Sequence, residues 1–143
     1  MKSVKSLDFF KSVREVWEFE FGVFHYFDRL VISEMNEGVV FNWEMAKKAI
    51  KVAHQINGDT NPIAYISNRI NNYYVVPTDW AKFYKNRQQL ALYSVVGSTQ
   101  GSFASLVMER MFFKKNIRQF TDLQEAIDWS VQKMELHATN EVG

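Results

Sequence analysis

The sequence predicts an α/β domain with a four- to five-stranded, mostly parallel sheet, flanking helices and an opening β-hairpin. Two observations carry this. The hydrophobic period switches repeatedly between two residues and the helical spacing of about 3.6, and the later apolar runs are short, bounded by turn residues and separated by helix-length segments. Strands joined through helical crossovers lie parallel in one sheet with helices packed on its faces.

Each element has its own warrant. Val16 to Phe21 alternates so that Trp17, Phe19 and Phe21 share one face and Glu18 and Glu20 the other, the pattern of a half-buried antiparallel strand. Gly22 interrupts it, Phe24 to Phe27 continues it or bulges, and Leu30 to Met35 returns as the hairpin partner before the turn Asn36-Glu-Gly38. Asn42 is placed to cap a helix in which Trp43, Ala46, Ala49, Ile50, Ala53 and Ile56 recur at helical spacing until Asn57-Gly58, with Lys47, Lys48, Lys51 and His54 outside. Ile63 to Ile66 is apolar on both faces, as in a strand covered on both sides. Pro77-Thr-Asp-Trp opens a brief helix capped by Thr78, with Trp80, Phe83, Tyr84 and Arg87 on one stripe, and Leu90 to Val96 is again a strand. Gly97 to Ser102 turns into a helix bearing Phe103, Leu106, Val107 and Met111, followed by a strand at Ile117 to Phe120. Thr121 and Gln124 form a capping box, after which Leu123, Ala126, Ile127, Ser130, Val131 and Met134 mark the final helical face.

These elements describe one domain over residues 1–143, with a core at about 13–135, termini at 1–12 and 136–143, and a tail that frays after Leu136. A chain of 143 residues buries close to ~70% of the surface its unfolded form exposes. Its 12 Phe, 6 Tyr and 4 Trp supply an aromatic core. The net charge of +1, from 17 basic and 16 acidic residues spread along the chain, creates no field that would gather a polyanion, so nucleic acid is not an expected partner. With no cysteine there is no disulfide, thiolate nucleophile or cysteine-ligated metal. Met1 to Ser6 leads into Leu7 to Phe10 without a signal-peptide core, and no apolar run approaches ~20 residues, so the expectation is a cytoplasmic protein without a transmembrane segment.

The segment Ile63 to Tyr74 points to where the protein works. Its apolar run ends in Ser67, Asn68, Arg69, Asn71 and Asn72, followed by Tyr73, so polar side chains gather at a strand end, where open α/β sheets receive ligands and partners. Ser67, Asn68, Arg69, Asn71, Asn72 and Tyr73, with Trp80 nearby, are therefore the expected partner- or ligand-binding residues, and Arg69 and Asn71 are expected to be largely exposed. The turn Gly97-Ser-Thr-Gln-Gly-Ser102 is a second candidate, an anion site using Ser98, Thr99 and Ser102. It lacks the Gly-Lys-Ser/Thr ending of a phosphate loop and the third glycine of a dinucleotide fingerprint, and a capped strand-to-helix turn explains both glycines.

The order of elements resembles the STAS superfamily of sulfate-transporter and anti-sigma-factor-antagonist domains, in particular its SpoIIAA-like branch of small stand-alone proteins related to lipid-binding SEC14 domains. The resemblance runs from Val16 to Lys133 and is most recognisable in the strand ending at Val96, the helix at Ser102 to Phe112, the strand with Arg118 and Phe120, and the ending Thr121-Asp-Leu-Gln-Glu-Ala-Ile-Asp-Trp129. It implies a SpoIIAA-like fold and a regulatory interaction module. The antagonists of this superfamily carry a phosphorylatable residue in an Asp-Ser-Ser/Thr-Gly pattern. The corresponding position here is Ser67, flanked by Ile66 and Asn68 in place of Asp and Gly, so Ser67 is not expected to be a regulatory phosphosite.

Catalytic chemistry finds little support. His25, His54 and His137 fall on a strand, an outer helix position and the tail, so no metal site is expected. There is no Gly-x-Ser-x-Gly elbow, and Glu18 and Glu20 read as a solvated strand face. Lys114, Lys115 and Arg118 form a helix-end cluster that offsets the dipole. The leading expectation is a non-enzymatic module that binds a protein partner and needs no cofactor. The alternative is a small-molecule or lipid-binding protein with an apolar cavity under the Trp80 helix, and a homodimer is compatible with either. A cavity would favour the second reading, and a filled core with an exposed aromatic rim the first.

Overall fold

The computed structural model describes residues 2–79, 82, 85–86, 90–97 and 117–142. The main sheet is built from β1 (Glu15–Phe19), β2 (Gly22–Phe27), β3 (Leu30–Met35), β5 (Ile63–Asn68), β7 (Leu90–Val96) and β8 (Ile117–Phe120), in that spatial order. The first three strands form an antiparallel meander, and β3, β5, β7 and β8 run parallel. A separate parallel pair joins β4 (Val40–Phe41) to β6 (Tyr74–Val75). Two helices are described, α1 (Trp43–Asn57) and α2 (Leu123–Val142), with 3-10 turns at Val4–Ser6, Asp8–Ser12 and Pro77–Asp79.

The sheet has six strands where four or five were expected, because residues 20–21 form a two-residue turn and Gly22 opens a strand of its own. A Cβ at Gly22 would lie 2.7 Å from both Glu34 O and Met35 Cα, so the close approach of β3 requires glycine there. β2 is buried at five of its six positions, which hides the alternation by which an amphipathic strand is recognised. β1 differs in the opposite sense. Glu15 to Glu18 are all exposed, so it is an open edge strand rather than a half-buried one, while Phe19 and Phe21 stack at 5.0 Å and close over Phe24.

α1 forms as its sequence requires. The Asn42 side chain accepts from Met45 N at 2.9 Å, and Gly58, at φ 81°, ends the helix with its N–H on His54 O. Asp79 adds a second cap, accepting from Trp43 N at 2.8 Å. Thr78 lies inside the 3-10 turn, and most of the brief helix expected after it lies outside the described residues, of which Lys82 and Lys85 are helical. At the start of α2 the cap is Asp122, which accepts from Glu125 N at 3.1 Å. The expected Thr121–Gln124 box is displaced by one residue, because the helix starts at Leu123, which puts Asp122 rather than Thr121 at the N-cap position, and Gln124 turns instead to Asp128.

The two sheet faces carry separate cores. Ala46, Ala49, Val52 and Ala53 of α1 cover Phe24, Tyr26, Val31 and Met35 on one face. On the other, Leu123, Ala126, Ile127 and Met134 of α2 cover Leu30, Ile32, Ala64 and Ile66. The second core also takes in Val4, which is fully buried, with Leu7, Phe9 and Phe10 packed beside it. The core therefore begins well before residue 13. Glu34 is the physical reason, since its carboxylate accepts from Ser3 Oγ and from Val4 N, each at 2.9 Å, and ties the N-terminal turns to the sheet. α2 continues to Val142 instead of fraying after Leu136, in keeping with helix-favouring residues such as Glu135, Leu136 and Ala138.

Candidate functional site

The central strand β5 runs two residues further than its apolar run, so Ser67 and Asn68 belong to the sheet and pair with Val95 and Val96. Successive side chains of a strand point to opposite faces, and this divides the expected site. Ser67 turns toward the α1 face, where its Oγ lies 2.8 Å from the Tyr73 hydroxyl and accepts from Arg69 Nε at 3.1 Å. The Arg69 guanidinium stacks 5.0 Å from the centre of the Tyr73 ring. Asn68 turns the other way and donates to Glu34 Oε2 at 2.7 Å and to Lys2 O at 3.0 Å.

Arg69 is only 3% exposed and Asn71 is half-buried, which corrects the expectation that both stand free on the surface. The reason is local hydrogen bonding: Arg69 N reaches Val96 O at 2.8 Å, and Asn71 Nδ2 donates to Met35 O at 3.1 Å. Asn72 is exposed, but its N–H is held by Glu37 Oε2 at 2.9 Å. The amides and the arginine tie the loop to β3 and β7. The Ser67 hydroxyl is buried and shared between Tyr73 and Arg69. Trp80 and its stripe partners Phe83, Tyr84 and Arg87, the anion-site residues Ser98, Thr99 and Ser102, the helix at Ser102 to Phe112, and Lys114 and Lys115 lie outside the described residues.

Tyr73 leads from this network to an apolar cavity of about 190 Å³ between α1 and the sheet. Phe24, Val31, Tyr65 and Tyr93 line the sheet side, and Ala46, Ala49 and Ala53 line the helix side. Small residues at successive turns of α1 leave this space open, and that was the sequence signal for it: the same alanines read equally well as an ordinary core stripe. Two tyrosines orient their hydroxyls into fixed bonds, Tyr65 with Ser33 Oγ at 2.5 Å and Tyr73 with Ser67. Tyr65 and Tyr93 meet edge to face at 5.2 Å. Beside the cavity the Tyr26 hydroxyl donates to Ala49 O at 2.9 Å, and burial, with a smaller contribution from the Glu15 carboxylate, raises its pKa well above the usual phenol value, so it stays a neutral donor.

His25 lies on the opposite face, fully buried, with Nδ1 3.2 Å from Ile32 O and Phe10 against its ring. Burial lowers its pKa below 6.5, opposed by the Glu34 carboxylate. His54 is exposed on α1. Among the described residues no three His, Cys, Asp or Glu side chains come together as metal ligands, and no helix is long and apolar enough to cross a membrane.

A mostly parallel sheet extended by an antiparallel meander and covered by helices on both faces is the SpoIIAA-like arrangement. The chain is similar to a solved structure from Shewanella loihica PV-4, an uncharacterized protein of the DUF3478 family with a SpoIIAA-like fold, at 10% identity and a TM-score of 0.51 over 81% of this chain and 90% of that one. At that identity the likeness shows the fold. No family model and no curated protein matches the sequence.

Proposed function

We propose that the protein is a non-enzymatic module that binds a small apolar or aromatic molecule in the cavity between α1 and the sheet. The observation that carries this is the cavity itself, about 190 Å³ and walled by aromatic rings and alanines. A dry apolar cavity of about 150 Å³ already accepts a benzene ring, so the fitting ligand is of monocyclic size rather than a long-chain lipid. A ligand of that size would gain dispersion contacts with the rings and alanines that line the space.

The test combines native mass spectrometry of protein purified from its own cells with thermal shifts on adding toluene or indole. A co-purifying small molecule, or a melting temperature that rises with ligand concentration in the wild type and not in Ala49→Leu, is the expected result. A chain that carries nothing and responds to neither probe sinks the reading.

The protein-partner reading retains one specific support. Val40 and Tyr74, paired across β4 and β6, are 55% and 64% exposed, with Ile70 exposed in the same loop region. A partner would meet these apolar side chains, not the buried Arg69. Pull-downs with Tyr74→Ser check it; a variant that keeps every partner removes this surface from consideration.

A further inference from the structure

The open edge of β1 is unusual in what it leaves exposed. Phe19 and Gly22 flank a two-residue turn, and the register continues through Trp17 opposite Phe24 and Glu15 opposite Tyr26. In such a hairpin the residues flanking the turn exchange both hydrogen bonds and every second pair repeats this. Glu15, Trp17 and Phe19 therefore bond to β2, while Val16 and Glu18 direct their N–H and C=O groups away from the sheet. Among the described residues no strand pairs with that side, and Val16 and Trp17 are each 39% exposed. An unpaired edge with apolar side chains on it is a template for another strand.

We propose that the strand it accepts is β1 of a second copy, pairing antiparallel about a two-fold axis at Trp17. Self-complementarity selects this occupant and this register. With the axis at Trp17, Val16 faces Glu18 of the other copy, Glu15 faces Phe19, and the two Trp17 side chains meet. The full length of both strands is paired, and no carboxylate faces another. Moving the axis to Glu18 would set two carboxylates face to face, which is destabilising, and moving it to Val16 would leave only Glu15 to Trp17 within the ladder. The pairing is isologous and closed, so it yields a dimer rather than a fibre, with the two sheets joined into one. This inference is independent of the cavity on the other side of the sheet from α2.

The experiment is sedimentation equilibrium of the full chain with two kinds of variant. The wild type is expected to be a dimer whose share grows with concentration. Val16→Pro removes an outward N–H without taking a bond from β2, so it is expected to be monomeric with its thermal melt nearly unchanged. Because the chain has no cysteine of its own, Trp17→Cys is expected to form a disulfide-linked dimer on mild oxidation, and Glu15→Cys, far from its own copy in this register, is expected to stay uncrosslinked. The cysteine pair decides the matter even if the proline variant misfolds. A monomeric wild type, a folded Val16→Pro that remains dimeric, or equal crosslinking at both positions overturns the proposal.

Discussion

Arg69 shows how a residue that looks like a surface recognition group becomes internal. Its backbone continues the pairing with β7, which directs the side chain back over Tyr73 and onto Ser67. Arg69→Ala is expected to cost about 2 kcal/mol, within the range for breaking a buried network. Asn71→Ala loses one bond to Met35 O and is expected to cost about 1 kcal/mol. Urea unfolding of the two single variants checks the order, and equal small losses would place Arg69 at the surface after all. His25 gives a pH prediction. Its folded-state pKa lies below the unfolded value of 6.5, so between those two values the unfolded chain binds more protons than the folded one. Its contribution is complete above 6.5 and is lost as pH falls from there toward the folded pKa. Glu34 and Lys5, the charged groups acting on it, shift the window in opposite directions. The melting temperature of the wild type is expected to drop through this window, and His25→Gln should flatten that part of the profile; an unchanged slope means that other groups dominate.

At the level of elements, strong periodic segments were legible and polar ends were not. β7 and β8 have the bounds their sequences predicted, and α1 begins at the Asn42 cap and ends at Gly58. The start of α2 was legible only to within one residue, because Thr121 and Asp122 are both good caps and the choice depends on the path of the chain leaving β8. Asp122→Ala is therefore expected to cost about 1 kcal/mol, and Thr121→Ala much less, as measured by thermal unfolding. A larger loss at Thr121 would restore the capping box. β2 was misread because burial on both faces erases its alternation, and the extension of β5 was missed because Ser67 and Asn68 resemble turn residues until their bonds to Tyr73, Glu34 and Lys2 are known.

Across the whole molecule, the sequence by itself determined the α/β class, the parallel later sheet, the helical faces of α1 and α2, and the SpoIIAA-like resemblance. The class, the sheet and the helical faces follow from hydrophobic period and local capping, which are properties of neighbouring residues, and the resemblance rests on the order in which the elements occur. Tertiary structure decided what pairing and depth decide. Val4 is core because a carboxylate 30 positions away holds its N–H, and Asn68 and Ser67 face opposite sides of the sheet because β5, paired with β7, continues through both and its side chains alternate. The space beneath α1 exists because three alanines meet Tyr65 of the sheet, held by Ser33, and Tyr73 of the following loop, held by Ser67. Contacts between residues far apart in the chain leave no local period, so the sequence showed which residues could be buried, and only their packing decided where the buried surface stays incomplete.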